Sequence, residues 1–137
     1  NDGMGPFIAD ATMKAMVKSG FAVVGSRILV LGLTFKENCP DLRNTRVVDI
    51  VYDLVDYNAE VEVWDPWVDP AEAEEEYGIS PLVEQPQEGR YDALILAVPH
   101  REFLELGPEG IRKLGSRGAV LFDVKSVFPR EVADLRL

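Results

Sequence analysis

The chain has 137 residues, of which 47% are hydrophobic and 28% charged, enough for one domain with a substantial core. A formal net charge of -10 argues against a nucleic-acid or anionic-membrane surface, yet leaves room for a local basic pocket. A single cysteine, Cys39, excludes an internal disulfide framework, and no apolar run approaches the roughly 18 to 20 residues that span a bilayer, so cytoplasm is the expected compartment.

Residues 1 to 18 predict a helix, with Met4, Ile8, Ala11, Ala15 and Met16 at spacings of three and four, Pro6 tolerated in the first turn and Ser19-Gly20 as the stop. The sequence opens on Asn1 rather than on methionine, and the helix begins abruptly. A piece of a longer protein is the expectation.

Arg27 to Leu31 is a short aliphatic run between Gly25 and Gly32 and reads as a buried strand. The loop after it is charged, with Lys36, Asp41, Arg43 and Arg46 just beyond the strand's carboxyl end, where open parallel sheets bind ligands. Gly32 is followed by Leu33-Thr34-Phe35-Lys36, so this is not the G-x-G-x-x-G dinucleotide fingerprint. Either the lysine and two arginines grip phosphate oxygens with their side chains, or they are solvated charges balanced by Glu37 and Asp41. Asp41 or Asn44 is positioned to cap a helix from about Thr45 to Tyr57-Asn58, with Val47, Val48, Ile50, Val51, Leu54 and Val55 at helical spacing.

Ala59 to Trp64 alternates as a second strand and stops at Asp65-Pro66, where Asp65 reads as a turn residue rather than a ribose ligand. Trp64 and Trp67 read as packing residues. Asp69 to Tyr77 is a short acidic helix with Pro70 in its first turn and Gly78 as its stop, and its glutamates form a solvated face rather than a metal site. Ile79 to Gln87 is a loop or an edge strand, because its prolines forbid a central one. Asp92 to Val98 is apolar throughout, as a strand buried on both faces should be. His100, the only histidine, closes it and reads as a loop hydrogen bonder, with no nucleophile or carboxylate at motif spacing. Two helical turns broken at Gly107-Pro108 follow, then a fourth strand from Gly118 to Asp123 with Lys125 just past its end. Residues 130 to 137 are too short to assign. Strands alternating with helices predict a doubly wound α/β domain over residues 26–137.

The stretch GLTFKENCPDLRNTRVVDI closely resembles the start of the C-terminal, UDP-binding domain of the UDP-glucose/GDP-mannose dehydrogenase family, whose members show G-x-x-F-K-x-x-x-x-D-x-R-x-S/T. Phe35, Lys36, Asp41 and Arg43 match without a gap, and Asn-Cys-Pro-Asp-Leu-Arg-Asn-Thr looks most like the branch acting on UDP-N-acetylhexosamines, the Vi-antigen type included. The resemblance implies a Rossmann-like parallel sheet. It implies that Phe35 and Lys36 contact a UDP-sugar and that Arg43 reaches over to bound NAD. Several members carry an arginine that contacts UDP just after the aspartate-containing strand; the nearest match here is Lys125, with Ser126 where some members have arginine. It further implies that residues 1–20, which open on Asn1-Asp2-Gly3-Met4, are the end of a long central helix that forms a homodimer contact.

The family's chemistry is a two-step oxidation of the C6 hydroxyl of a nucleotide sugar to a carboxylate, for cell-surface polysaccharide synthesis, using NAD and a cysteine thiohemiacetal. The reactive cysteine and the glycine-rich NAD half lie upstream in that family, so this stretch alone is expected to be inactive, with Cys39 structural or incidental. The competing expectation is a freestanding nucleotide-binding or oligomerisation module without catalysis.

Overall fold

A computed structural model of the chain describes residues 4–137. The Asn1-Asp2-Gly3 part of the expected first helix lies outside the described residues. The helix itself, α1, runs Met4–Lys18, and its buried residues Gly5, Ile8, Ala9, Thr12, Met13 and Met16 recur at spacings of three and four, which fixes the face it lays on the rest of the chain.

Five parallel strands follow: β1 (Arg27–Leu31), β2 (Glu60–Trp64), β3 (Tyr91–Leu96), β4 (Gly115–Asp123) and β5 (Leu135–Arg136), in the order β2-β1-β3-β4-β5. Successive β1 side chains point to opposite faces. Ile28 and Val30 join one apolar layer with α1 and α2 (Val47–Asp56), while Leu29 and Leu31 join another with α4 (Arg101–Arg112), which contributes Phe103 and Ile111. Both layers are apolar, so β1 and β3 must be apolar on every residue that the neighbours cover, and this is why neither alternates in sequence. The architecture is therefore the Rossmann-like, doubly wound α/β sheet that the pattern predicted.

Local chemistry sets the helix ends. Asp69 accepts from the backbone N–H of Ala71 at 3.1 Å, Pro70 begins α3 (Pro70–Tyr77), and Gly78 ends it in the left-handed region at φ 69°. Gly107, at φ 71° and ψ 173°, breaks α4 at the expected position. One local expectation is corrected. Neither Asp41 nor Asn44 caps α2; Asn44 sits at φ 64°, Asp41 turns to Arg43, and it is the Thr45 hydroxyl that accepts from Val47 N–H at 3.2 Å. The last eight residues, left unassigned from sequence, hold a 3₁₀ turn at Arg130–Val132 and the edge strand β5. Among the described residues, no helix is long and apolar enough to cross a membrane.

Candidate functional site

The helix after β1 packs on one face of the sheet and the helix after β3 on the other, so the chain diverges between the carboxyl ends of these neighbouring strands. In open α/β sheets that divergence leaves a crevice for ligands. The chain enters it through Gly32, at φ 97°, where a Cβ would stand 2.5 Å from the Val98 Cβ and 2.8 Å from the Val98 carbonyl oxygen. Only glycine allows the loop to cross the end of β3 so closely.

The loop is anchored from behind by Asp65, at the end of β2, and His100, after β3, both fully buried. Asp65 Oδ2 accepts from the backbone N–H groups of Leu33 at 2.7 Å and Thr34 at 3.0 Å, and Oδ1 accepts from Trp67 at 2.7 Å and Val68 at 3.1 Å. His100 Nε2 lies 3.0 Å from Asp65 Oδ2 and 3.1 Å from Thr34 Oγ1, and Nδ1 accepts from the Asn38 N–H at 2.9 Å. Burial alone would raise the Asp65 carboxyl; the hydrogen bond from His100, with those from the Leu33 and Trp67 amides, outweighs it and holds the group below the usual carboxylate range. Trp67 stacks near the imidazole and Trp64 packs edge-on against Phe103, so both tryptophans do pack.

With its backbone secured, the loop turns Phe35 and Lys36 toward a hollow of about 200 Å³ that is also lined by Arg46, Lys125, Val98 and Val124. Lys125 arrives there because the Asp123 carboxylate accepts from the N–H groups of Val127 at 3.1 Å and Phe128 at 2.8 Å, which folds the turn beyond β4. Ser126 stands at φ 56° with its hydroxyl on the Leu137 carbonyl and on Arg136. An apolar floor whose charged lining is Lys36, Arg46 and Lys125 against the one carboxylate of Glu37 keeps a net positive charge, which suits a ligand that is part aromatic or sugar and part phosphate. A groove of about 720 Å³ beside β2 is larger, but its charged lining is Asp56 and Glu62, which would repel a phosphate.

Of the residues singled out from sequence, Phe35, Lys36 and Lys125 thus share one hollow. Arg43 does not line it. Its side chain is 85% exposed and folds back on Asp41 through Nε at 3.0 Å and Nη2 at 3.1 Å; that side-chain hydrogen bond, helped by the Arg43 amide, holds the Asp41 carboxyl below its ordinary value. Cys39 is half-buried, and both nitrogens of His100 are engaged inward, so the histidine has none to offer as a base. Residues 29–130 match the model of the UDP-glucose/GDP-mannose dehydrogenase family, UDP binding domain.

The chain belongs to this family. It is 54% identical over its whole length to a UDP-N-acetyl-D-glucosamine 6-dehydrogenase of Pseudomonas aeruginosa and 49% identical to one of Salmonella typhi, and it spans 32% of the length of each. Among solved structures, a UDP-D-ManNAc dehydrogenase from Pyrococcus horikoshii superposes with a TM-score of 0.75 at 25% identity, over 95% of this chain and 29% of that one. A UDP-glucose dehydrogenase from Pyrobaculum islandicum gives 0.74 at 27% identity, over 99% and 29%. Within this UDP binding domain, His100 is the loop hydrogen bonder and Asp65 the turn residue that the sequence suggested, but their meeting to clamp residues 33–38 was not legible, and Arg46 stood among the loop charges without being assigned to the hollow. One signal for Arg46 was on hand, since it immediately precedes the helix that leaves the carboxyl edge.

Proposed function

We propose that this chain is the nucleotide-sugar-binding part of a cytoplasmic, NAD-dependent UDP-sugar 6-dehydrogenase acting on a UDP-N-acetylhexosamine. The observation that carries the reading is the convergence of Phe35, Lys36 and Lys125 on one hollow at the divergence of the sheet, with Arg46 at the same rim. In this reading the cations neutralise the diphosphate, Lys36 and Lys125 as point charges and Arg46 as a planar fork, while Phe35 packs on an apolar ring or sugar face. A hollow of about 200 Å³ seats only part of such a ligand, below the roughly 300 Å³ and more typical of enclosed small-molecule sites. That shortfall, together with the one-third share of its relatives that the chain spans, supports a site completed by a partner domain.

NAD would supply the hydride acceptor, and this chain offers it little. No glycine-rich phosphate loop follows β1, and the contribution left is Arg43, exposed on the outer rim and able to reach a neighbouring cofactor once its pair with Asp41 opens. The oxidation itself therefore belongs to residues beyond this stretch, and the chain alone binds without turning over. For residues 1–20 we propose the end of a central helix that pairs two subunits. In support, α1 turns Phe7 and Val17, each 58% exposed, away from the core.

Isothermal titration tests the reading directly. The chain should give heat with UDP and with UDP-N-acetylglucosamine, and Lys36→Ala should weaken both about tenfold, the size of one charge-assisted contact. Lys125→Ala should act in the same direction. An absence of heat from the unaltered chain would remove the nucleotide-sugar assignment.

A further inference from the structure

Lys36 lies two residues from each of the groups that His100 holds. On one side Asn38 donates its backbone N–H to Nδ1 at 2.9 Å, and its side-chain oxygen accepts from the Arg101 N–H at 2.7 Å. On the other, the Thr34 hydroxyl faces Nε2 at 3.1 Å and donates to the Lys36 carbonyl at 3.2 Å. A backbone amide can only donate, so Nδ1 is bare; the Asp65 carboxylate 3.0 Å from Nε2 can only accept, so Nε2 carries the hydrogen. The imidazole is therefore neutral and in one tautomer.

We propose that His100 is a positioning residue for nucleotide-sugar binding, whose neutral ring holds residues 34–38 in the conformation that presents Phe35 and Lys36, and that a proton on Nδ1 releases this segment and weakens binding. The inference rests on the nucleotide-sugar reading of the hollow. Its physical step is simple: a proton on Nδ1 would bring two N–H groups face to face across 2.9 Å, so the Asn38 bond is lost while Asp65 keeps the imidazolium in its seat. Charges of both signs surround the ring: Asp65 at 3.0 Å, Glu102, which accepts from Trp67 Nε1 at 2.9 Å, and Arg101, whose guanidinium lies 5.2 Å from the Trp67 ring. Trp67 and Phe103 wall the imidazole at centroid distances of 6.1 and 5.5 Å, and the loop itself contributes Lys36 and Glu37.

Because the ligand favours the neutral ring, affinity should be constant at high pH and fall by up to tenfold per pH unit once the free ring takes up its proton. The experiment is titration of the chain with UDP-N-acetylglucosamine between about pH 5 and about pH 8, a ligand whose doubly esterified diphosphate does not ionise in the range spanned by histidine. The ring is followed in parallel by its nitrogen resonances, unambiguous because the chain has one histidine. Expected are a bare Nδ1 at the alkaline end and an affinity that falls as the ring protonates. His100→Asn keeps an acceptor near the Nδ1 position and cannot titrate, so it should bind less tightly than the unaltered chain but with a flat pH profile. His100→Gln, which leaves Asn38 N–H without its acceptor, should bind more weakly still and also flatly. A pH-independent affinity in the unaltered chain, a hydrogen on Nδ1 at alkaline pH, or a pH slope retained in His100→Asn would each overturn the proposal while leaving the site assignment standing. No binding at any pH would overturn both.

Discussion

The loop after β1 carries positive charge on both of its halves, and the fold treats the halves in opposite ways. The inner half, residues 33–38, gives the Leu33, Thr34 and Asn38 N–H groups to Asp65 and His100 and only that of Phe35 to the Asp41 carbonyl, and Lys36 is free of ion pairs among the described residues. The outer half closes on itself, with Asp41 taking both the amide and the guanidinium of Arg43. A loop cation becomes available to a ligand when something else satisfies the loop. Where the loop must satisfy itself, the cation is used up in doing so.

The comparison is broken most forcefully at its anchor. Asp65→Ala would strip the acceptor from four backbone amides and from His100 in a fully buried site, and urea unfolding should record a loss of about 3 kcal/mol or more, since each unpaired buried donor costs about 1 to 3 kcal/mol. A loss below about 1 kcal/mol would mean that the inner half does not depend on this clamp. Gly32→Ala comes next. It sets a side chain at φ 97° against Val98, and about 2 kcal/mol of strain should appear as a lowered Tm, together with weakened UDP binding as the loop is displaced.

Acid sharpens the same point. The Asp65 carboxyl is held below its unfolded value near 3.9, so its stabilisation is fully present above that pH and is lost as pH falls through the lower folded value. The stability of the unaltered chain should therefore converge on that of Asp65→Asn below about pH 4, which an acid series of denaturant titrations can follow. The smallest effect is expected on the outer half: Arg43→Ala should leave UDP affinity within about twofold and Tm unmoved, because an exposed pair of this kind contributes little. A tenfold loss of UDP affinity there would erase the distinction between the two halves.

Much of the scaffold was legible because its causes are local. The aliphatic run Arg27–Leu31, the Asp69-Pro70 start and Gly78 stop of α3, and the break at Gly107 each follow from side chains within a few residues of the feature. Strand β5 was not legible, because two residues carry no periodicity and pair only where Phe122 and Asp123 offer a free edge. The capping of α2 was misread for a related reason: Thr45, Asn44 and Asp41 are all capable acceptors, and the choice fell to Thr45, whose hydroxyl is also held by the Leu33 carbonyl at 2.6 Å.

The sequence by itself determined the alternation of strands and helices, the glycine at the entrance to the crevice and the cations that follow it, since these depend on backbone propensity and short-range spacing. Which of those cations face a common hollow was decided only in three dimensions. Leu33 meets Asp65 across 32 residues and Thr34 meets His100 across 66, and hydrogen bonds at such separations, invisible to any local pattern, orient the loop that carries Lys36.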